Sequence, residues 1–139
     1  MKLTWIILLL CFIQTNAQID PKTITIARDS FGVPHIFAHT DAEVAYGLAW
    51  AHAEDDFQTL QLVVLSGKAK LGLALGKQGA QADYIINLLR CRKLVDEQWN
   101  TLSIDFQALI KGYTEGLNAY AEAHPHEIRY PKAFPFNEK

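Results

Sequence analysis

Three consecutive acids, Glu54-Asp55-Asp56, stand in the middle of a long apolar stretch, and their chemistry needs an explanation first. On a helix they fan over about 200°, so at least one is expected to face inward. A carboxylate taken out of water needs a partner. One reading is an acid poised for catalysis. The other is an ion pair with Arg28 or a lysine that fixes the helix to the segment before it. Ion-pair networks shift carboxylate pKa values as active sites do, and here the structural reading is the heavier one.

The remaining reactive side chains assemble into nothing comparable. The three serines, Ser30, Ser66 and Ser103, lie in no Gly-x-Ser-x-Gly elbow and read as a turn residue, a helix end and a helix cap. His35 and His39 are four apart, which on a strand is about 13 Å, too far for two ligands of one zinc. His124-x-His126 flanks Pro125 and is expected to face solvent. No His-Glu-x-x-His occurs. The glycines between Gly67 and Gly79 do not meet the phosphate-loop pattern. No catalytic residue and no metal ligand is therefore assigned.

Met1-Lys2, the apolar run Leu3 to Ile13 and the small residues around Thr15-Asn16-Ala17 have the layout of a signal peptide over residues 1–17. The run is too short to span a membrane, which takes about 20 apolar residues. Residues 18–139 are then expected to be exported, to the periplasm, with no stable membrane span after cleavage. They hold one cysteine, Cys91, which closes no internal bridge and is expected to be buried and inert. The chain carries a net charge of −2 and no basic block, which argues against a nucleic-acid partner.

The elements that must position these residues follow from periodicity. Thr23 to Ala27 alternates like a half-buried strand, Asp29 to Gly32 is a turn, and Val33 to Ala38 reads as the returning strand, with Pro34 at its start or on an edge. Thr40-Asp41-Ala42-Glu43 is a capping box opening a helix to about Ser66. Val44, Tyr46, Leu48, Trp50, Phe57, Leu60, Leu62, Val63 and Val64 cover most of its circumference and predict burial on several sides. Gly67 to Gly79 reads as a loop or a broken helix end. Gln81 to about Asn100 reads as a helix with Tyr84, Ile85, Leu88, Leu89 and Val95 in the core. Ser103 caps a last helix whose stripe is Phe106, Leu109, Ile110, Tyr113, Leu117 and Tyr120, ending at His124-Pro125. Tyr130 to Phe136 is an extended aromatic tail with no visible partner in the chain. The fold class is α+β, mostly helical with an N-terminal β-hairpin.

Three ordered stretches carry a resemblance: Arg28-Asp29-Ser30-Phe31-Gly32-Val33-Pro34-His35-Ile36, then Tyr46 to Asp56, then Tyr113-Thr114-Glu115-Gly116-Leu117-Asn118-Ala119-Tyr120. Together they resemble the N-terminal part of the α chain in the penicillin acylase family of N-terminal-nucleophile hydrolases, which includes N-acyl-homoserine-lactone and lipopeptide acylases. Two departures stand out: Asp56-Phe57 where members often carry Asp-Arg, and Leu65-Ser66-Gly67 where a basic segment is common.

The resemblance implies an exported precursor cleaved into α and β chains, folded as an αββα sandwich. The N-terminal residue of the β chain attacks the acyl amide, with its own amine as base. It also implies a β chain or downstream region as partner and a small N-acyl substrate. No cofactor belongs to this chain, and calcium, where members bind it, sits at the α/β contact of the complete enzyme. No Gly-Ser, Gly-Thr or Gly-Cys junction occurs in the sequence. The chain is accordingly expected to be an α-chain portion, inactive alone, of an acylase for β-lactam side chains, N-acyl-homoserine lactones or similar amides, with a slight preference for fatty-acyl amides. The alternative is a stand-alone exported helical binding protein. Arg28, Asp29, Gly32, Val33, Pro34, His35, Tyr46, Gly47 and Asp55 carry over as structural positions only.

Overall fold

A computed structural model describes residues 19–138. The expected signal peptide lies outside the described residues. Strands β1 (Thr25–Arg28) and β2 (Pro34–Phe37) form an antiparallel hairpin in which Ile26 faces Ile36 and Arg28 faces Pro34. Ile24, Ile26 and Ile36 are half-buried, while Thr25, Ala27, His35 and Phe37 are exposed, the alternation expected of a sheet covered on one face. The cover is helix α1 (Asp41–Gly67). At Gly47 a side-chain carbon would come within 2.7 Å of the Ile36 Cγ2 and 3.0 Å of the Ile24 Cγ2, so the hairpin rests on a missing side chain.

Both halves of the capping box at Thr40 and Glu43 are made. The helix was expected to run unbroken, but Asp56 leaves helical geometry at φ −159°, ψ 73° and divides it. The Asp56 carboxylate then accepts the Thr59 amide at 3.1 Å, so it works as the N-cap of the second half.

Helix α5 (Ile104–Ala123), capped by Ser103, packs on α1 through small residues. Ala49 and Ala53 of α1 share a buried cluster with Leu117, Tyr120 and Ala121 of α5, and Gly112 and Gly116 are buried on α5. A methyl group on Gly112 would overlap the Ala42 carbonyl, and one on Gly116 the Tyr46 carbonyl. The contacts advance together, since Trp50 and Phe57 then meet Tyr120 at ring separations of 5.3 and 5.0 Å. The helices therefore run parallel, and the chain must travel back between them. Helices α2 (Gly72–Leu75), α3 (Lys77–Leu88) and α4 (Cys91–Gln98) make that return.

The return segment departs from expectation in three ways. The segment read as a loop or a broken helix end contains a separate short helix, α2, and the start of α3. The single helix over 81–100 is broken at Arg90, which adopts a left-handed φ of 54°. Tyr84, Ile85, Leu88, Leu89 and Val95 are not core residues but are 40–68% exposed, because no element of the described chain covers that face of α3 and α4. Val63 of α1 and Phe106 of α5 are likewise exposed, while alanines take the positions that face α5.

The aromatic tail, conversely, has partners. Gln61, fully buried, accepts the amides of Arg129 and Tyr130 at 2.9 and 3.0 Å and donates to the carbonyls of Phe57 and Glu127. Asn118 holds the Phe136 amide at 2.8 Å and its carbonyl at 2.9 Å. The Lys68 amine donates to the carbonyls of Ala133 and Pro135. Phe134 and Phe136 close over Phe57 at ring separations of 5.8 and 6.4 Å. His124 stacks on Tyr120 at 4.1 Å instead of facing solvent, whereas His126 is exposed. Cys91 is free and half-buried, less enclosed than expected.

Replacing Gly116 by Val is expected to cost about 1–3 kcal/mol, since it overpacks a helix contact that cannot yield. Gly67→Ala, where nothing lies within 4 Å of the added carbon, serves as the near-neutral control in urea unfolding.

Candidate functional site

The densest polar cluster joins the hairpin to α1. Arg28 Nη2 lies 3.0 Å from Glu54 Oε2 and 2.9 Å from Asp55 Oδ1, while Nη1 donates to the Gly32 carbonyl at 2.8 Å. One planar fork thus ties the hairpin turn to two carboxylates of the helix, a geometry a lysine cannot reproduce. The hydrogen bond to Glu54 is the main reason its pKa is raised; burial opposes this and Asp55 adds to it. Glu54 also accepts the Trp50 indole N–H at 3.0 Å. None of the three acids is buried, contrary to expectation: Glu54 and Asp55 are exposed ion-pair partners and Asp56 is an exposed cap.

Asp29 builds the turn. Its Oδ1 accepts the amides of Phe31 at 2.8 Å and Val33 at 3.0 Å, and its Oδ2 is 3.4 Å from His35 Nε2. These bonds, the Phe31 amide first, hold its pKa below the usual 3.8. Gly32 takes φ 81°, a left-handed conformation that favours glycine. Pro34 opens β2 where no inward N–H is required. Tyr46 is buried beside Gly47, and burial raises its phenol pKa, with Glu115 and Glu122 adding to the shift. The nine carried-over positions therefore gather around one joint between hairpin and helix.

Chemically this joint is saturated. The guanidinium is neutralised by two carboxylates, and the Asp29 carboxylate is committed to backbone amides. Among the described residues no three His, Cys, Asp or Glu side chains are grouped so as to hold a metal ion. No nucleophile is paired with a base at the joint. Beside it, a groove of about 210 Å³ is lined by Pro21, Ile24 and Ile26 on the strand side and by Tyr46, Gly47 and Trp50 on the helix side.

Gln61 and Lys68 were not singled out from sequence, and Asn118 only as a member of a motif without a role. The available signal was a lone amide set among apolar neighbours, Leu60-Gln61-Leu62 and Leu117-Asn118-Ala119. Such a residue on a packed face must find buried partners.

Arg28→Ala is expected to lower the melting temperature and to release the hairpin first, and Arg28→Lys to restore little; amide exchange at Ala27 and His35 reports the loss. The pKa values of Asp29 and Asp56 are depressed, the latter by its bonds to Thr59, and that of Glu43 is lowered because hydrogen bonds from His39, Thr23 and Thr40 outweigh its desolvation. A depressed carboxylate adds stability that is complete above its unfolded pKa and vanishes as pH falls through the folded one. Urea midpoints should hold down to the ordinary values of 4.5 and 3.8 and then decline. Asp29→Asn should flatten that decline.

A family model described as Penicillin amidase matches residues 23–137. The penicillin acylase 2 proenzyme of Pseudomonas sp. strain SE83 is 27% identical over 108 residues, covering 77% of this chain and 14% of that protein. Penicillin G acylase of Escherichia coli is 27% identical over 121 residues, covering 85% and 14%. An acyl-homoserine lactone acylase of Pseudomonas fluorescens is 28% identical over 110 residues, covering 73% and 14%. Among solved structures, the thermostable penicillin G acylase of Alcaligenes faecalis superposes with a TM-score of 0.67 at 26% identity, over 81% of this chain and 58% of that one. The chain thus spans 14% of the length of these curated relatives.

Proposed function

The chain belongs to the penicillin amidase family, and on that premise we propose that it is the opening portion of an acylase that hydrolyses the amide bond of an N-acyl substrate. In this reading it supplies no reacting group. It forms a scaffold on which the remaining region of the same polypeptide, or a separate β chain, assembles and presents an N-terminal nucleophile. A calcium ion, in a member that uses one, would sit at that contact. The leader fits an exported, periplasmic enzyme, and the substrate is a β-lactam side-chain amide or an N-acyl-homoserine lactone, with fatty-acyl amides preferred.

The observation that carries the proposal is the bare face of α3 and α4. Tyr84, Ile85, Leu88, Leu89 and Leu94 expose 54–68% of their surface along consecutive turns. Apolar side chains left exposed in such number on neighbouring helices mark a site of association. Relatives some seven times as long as the matched segment have ample chain to cover it.

The tail clamp favours a second reading. Gln61, Asn118 and the Phe57–Phe136 cluster give the chain a core of its own, as a stand-alone exported binding protein would need. The two part on one experiment. The purified chain should hydrolyse neither penicillin G nor a long-chain N-acyl-homoserine lactone, and should do so once the remaining region is supplied. Hydrolysis by the chain alone would refute the scaffold role, and a remaining region that is fully active without it would favour the binding protein.

A further inference from the structure

Among the described residues the hairpin is a sheet of two strands, too small to be stable by itself in water, with both outer edges unpaired. Its register shows which groups each edge offers. The Asp29 amide donates to the Val33 carbonyl at 3.2 Å, so that pair is hydrogen-bonded. Bonded and non-bonded pairs alternate in an antiparallel ladder. Ala27–His35 and Thr25–Phe37 are therefore bonded, while Ile26–Ile36 and Arg28–Pro34 turn their backbone groups outward. The two edges differ. Along β2 the outward row is interrupted by Pro34, which has no N–H. Along β1 the N–H and C=O groups of both Ile26 and Arg28 face out, and among the described residues none of them has a backbone or side-chain partner.

A second feature lies beside that same edge. The 210 Å³ groove is walled by Ile24 and Ile26 of the β1 side and floored by Tyr46, Gly47 and Trp50 of α1. No residue of β2 lines it. A strand laid along β1 would point alternate side chains toward α1, and the groove lies where the first of them would go. Main-chain bonds at an edge with a side-chain pocket next to it are the two parts of recognition by strand addition.

We infer that the β1 edge and its adjoining groove are a docking site for an extended strand from the remaining region of the polypeptide, seated with one apolar side chain over Gly47. The inference rests on the scaffold reading above and adds the place and the manner of assembly. An exposed strand edge invites pairing with whatever chain is near, and a dedicated occupant removes that hazard. The Arg28 fork supports the site, because it holds β1 to α1 by side-chain atoms and leaves the Arg28 backbone free.

The test is amide exchange on the chain alone and on the chain mixed with the remaining region produced as a separate polypeptide. Slowed exchange at Ile26 and Arg28, with Ile36 unchanged, is the expected result. Ile26→Pro removes an outward N–H from β1 and Ile36→Pro removes its counterpart from β2, both from non-bonded pairs. Ile26→Pro should weaken association by at least about tenfold more than Ile36→Pro, a difference of roughly 1.4 kcal/mol. Association with Ile26 and Arg28 still exchanging freely, or equal effects of the two prolines, would overturn the docking site and leave the scaffold reading standing. No association at all would overturn both.

Discussion

The close approach of α1 and α5 is the constraint on which the rest depends. Backbone meets backbone at Gly112 against Ala42 and at Gly116 against Tyr46, and alanines fill the remaining contact. Two helices this near exclude large side chains from the contact around Gly112 and Gly116. The bulky residues of α1 lie off that stretch: isoleucines of the hairpin side cover Gly47, Phe57 meets Tyr120 farther along the helix pair, and Val63 is left in solvent. Because the two helices are parallel, the chain between them has to return along their length. That necessity creates α2, α3 and α4: Ala74 of α2 still packs on the core, while Tyr84, Ile85, Leu88, Leu89 and Leu94 of α3 and α4 lie beyond its reach.

A second consequence lies at the far end of the helix pair. The gap beyond Phe57 is filled by residues 128–136, held mainly through backbone groups. Gln61 serves four backbone atoms, which satisfies its amide in full, and Asn118 serves two, one through its nitrogen and one through its oxygen. Burying such groups without partners would be costly, and meeting them all specifies a single path for the chain. The Gly116-Leu117-Asn118 motif thereby has a physical meaning: the glycine admits α1, and the asparagine fixes the strap.

Local structure was legible in the sequence where local chemistry decides it. The hairpin, the capping box at Thr40 and Glu43, the Ser103 cap and the stop at His124-Pro125 each follow from a few adjacent residues. The α+β class followed from the strand and helix periods, and the family from the ordered motifs. What failed was burial. Periodicity assigned Tyr84, Ile85 and Leu88 to a core because an apolar stripe normally has one, but a stripe does not say whether its partner lies in the same chain. The tail failed for the opposite reason, since its partners are polar side chains far away in sequence. Helical periodicity also could not see the break at Asp56, where a carboxylate that suits a helix surface acts as a cap.

The central claim is that this fold is a scaffold completed by further chain. It is tested most directly by reading the gene, or its transcript, beyond the codon for Lys139. An open frame that continues for several times the present length and contains a Gly-Ser-type junction is the result expected. A stop codon, with no other coding region for the remainder of an acylase, would contradict it.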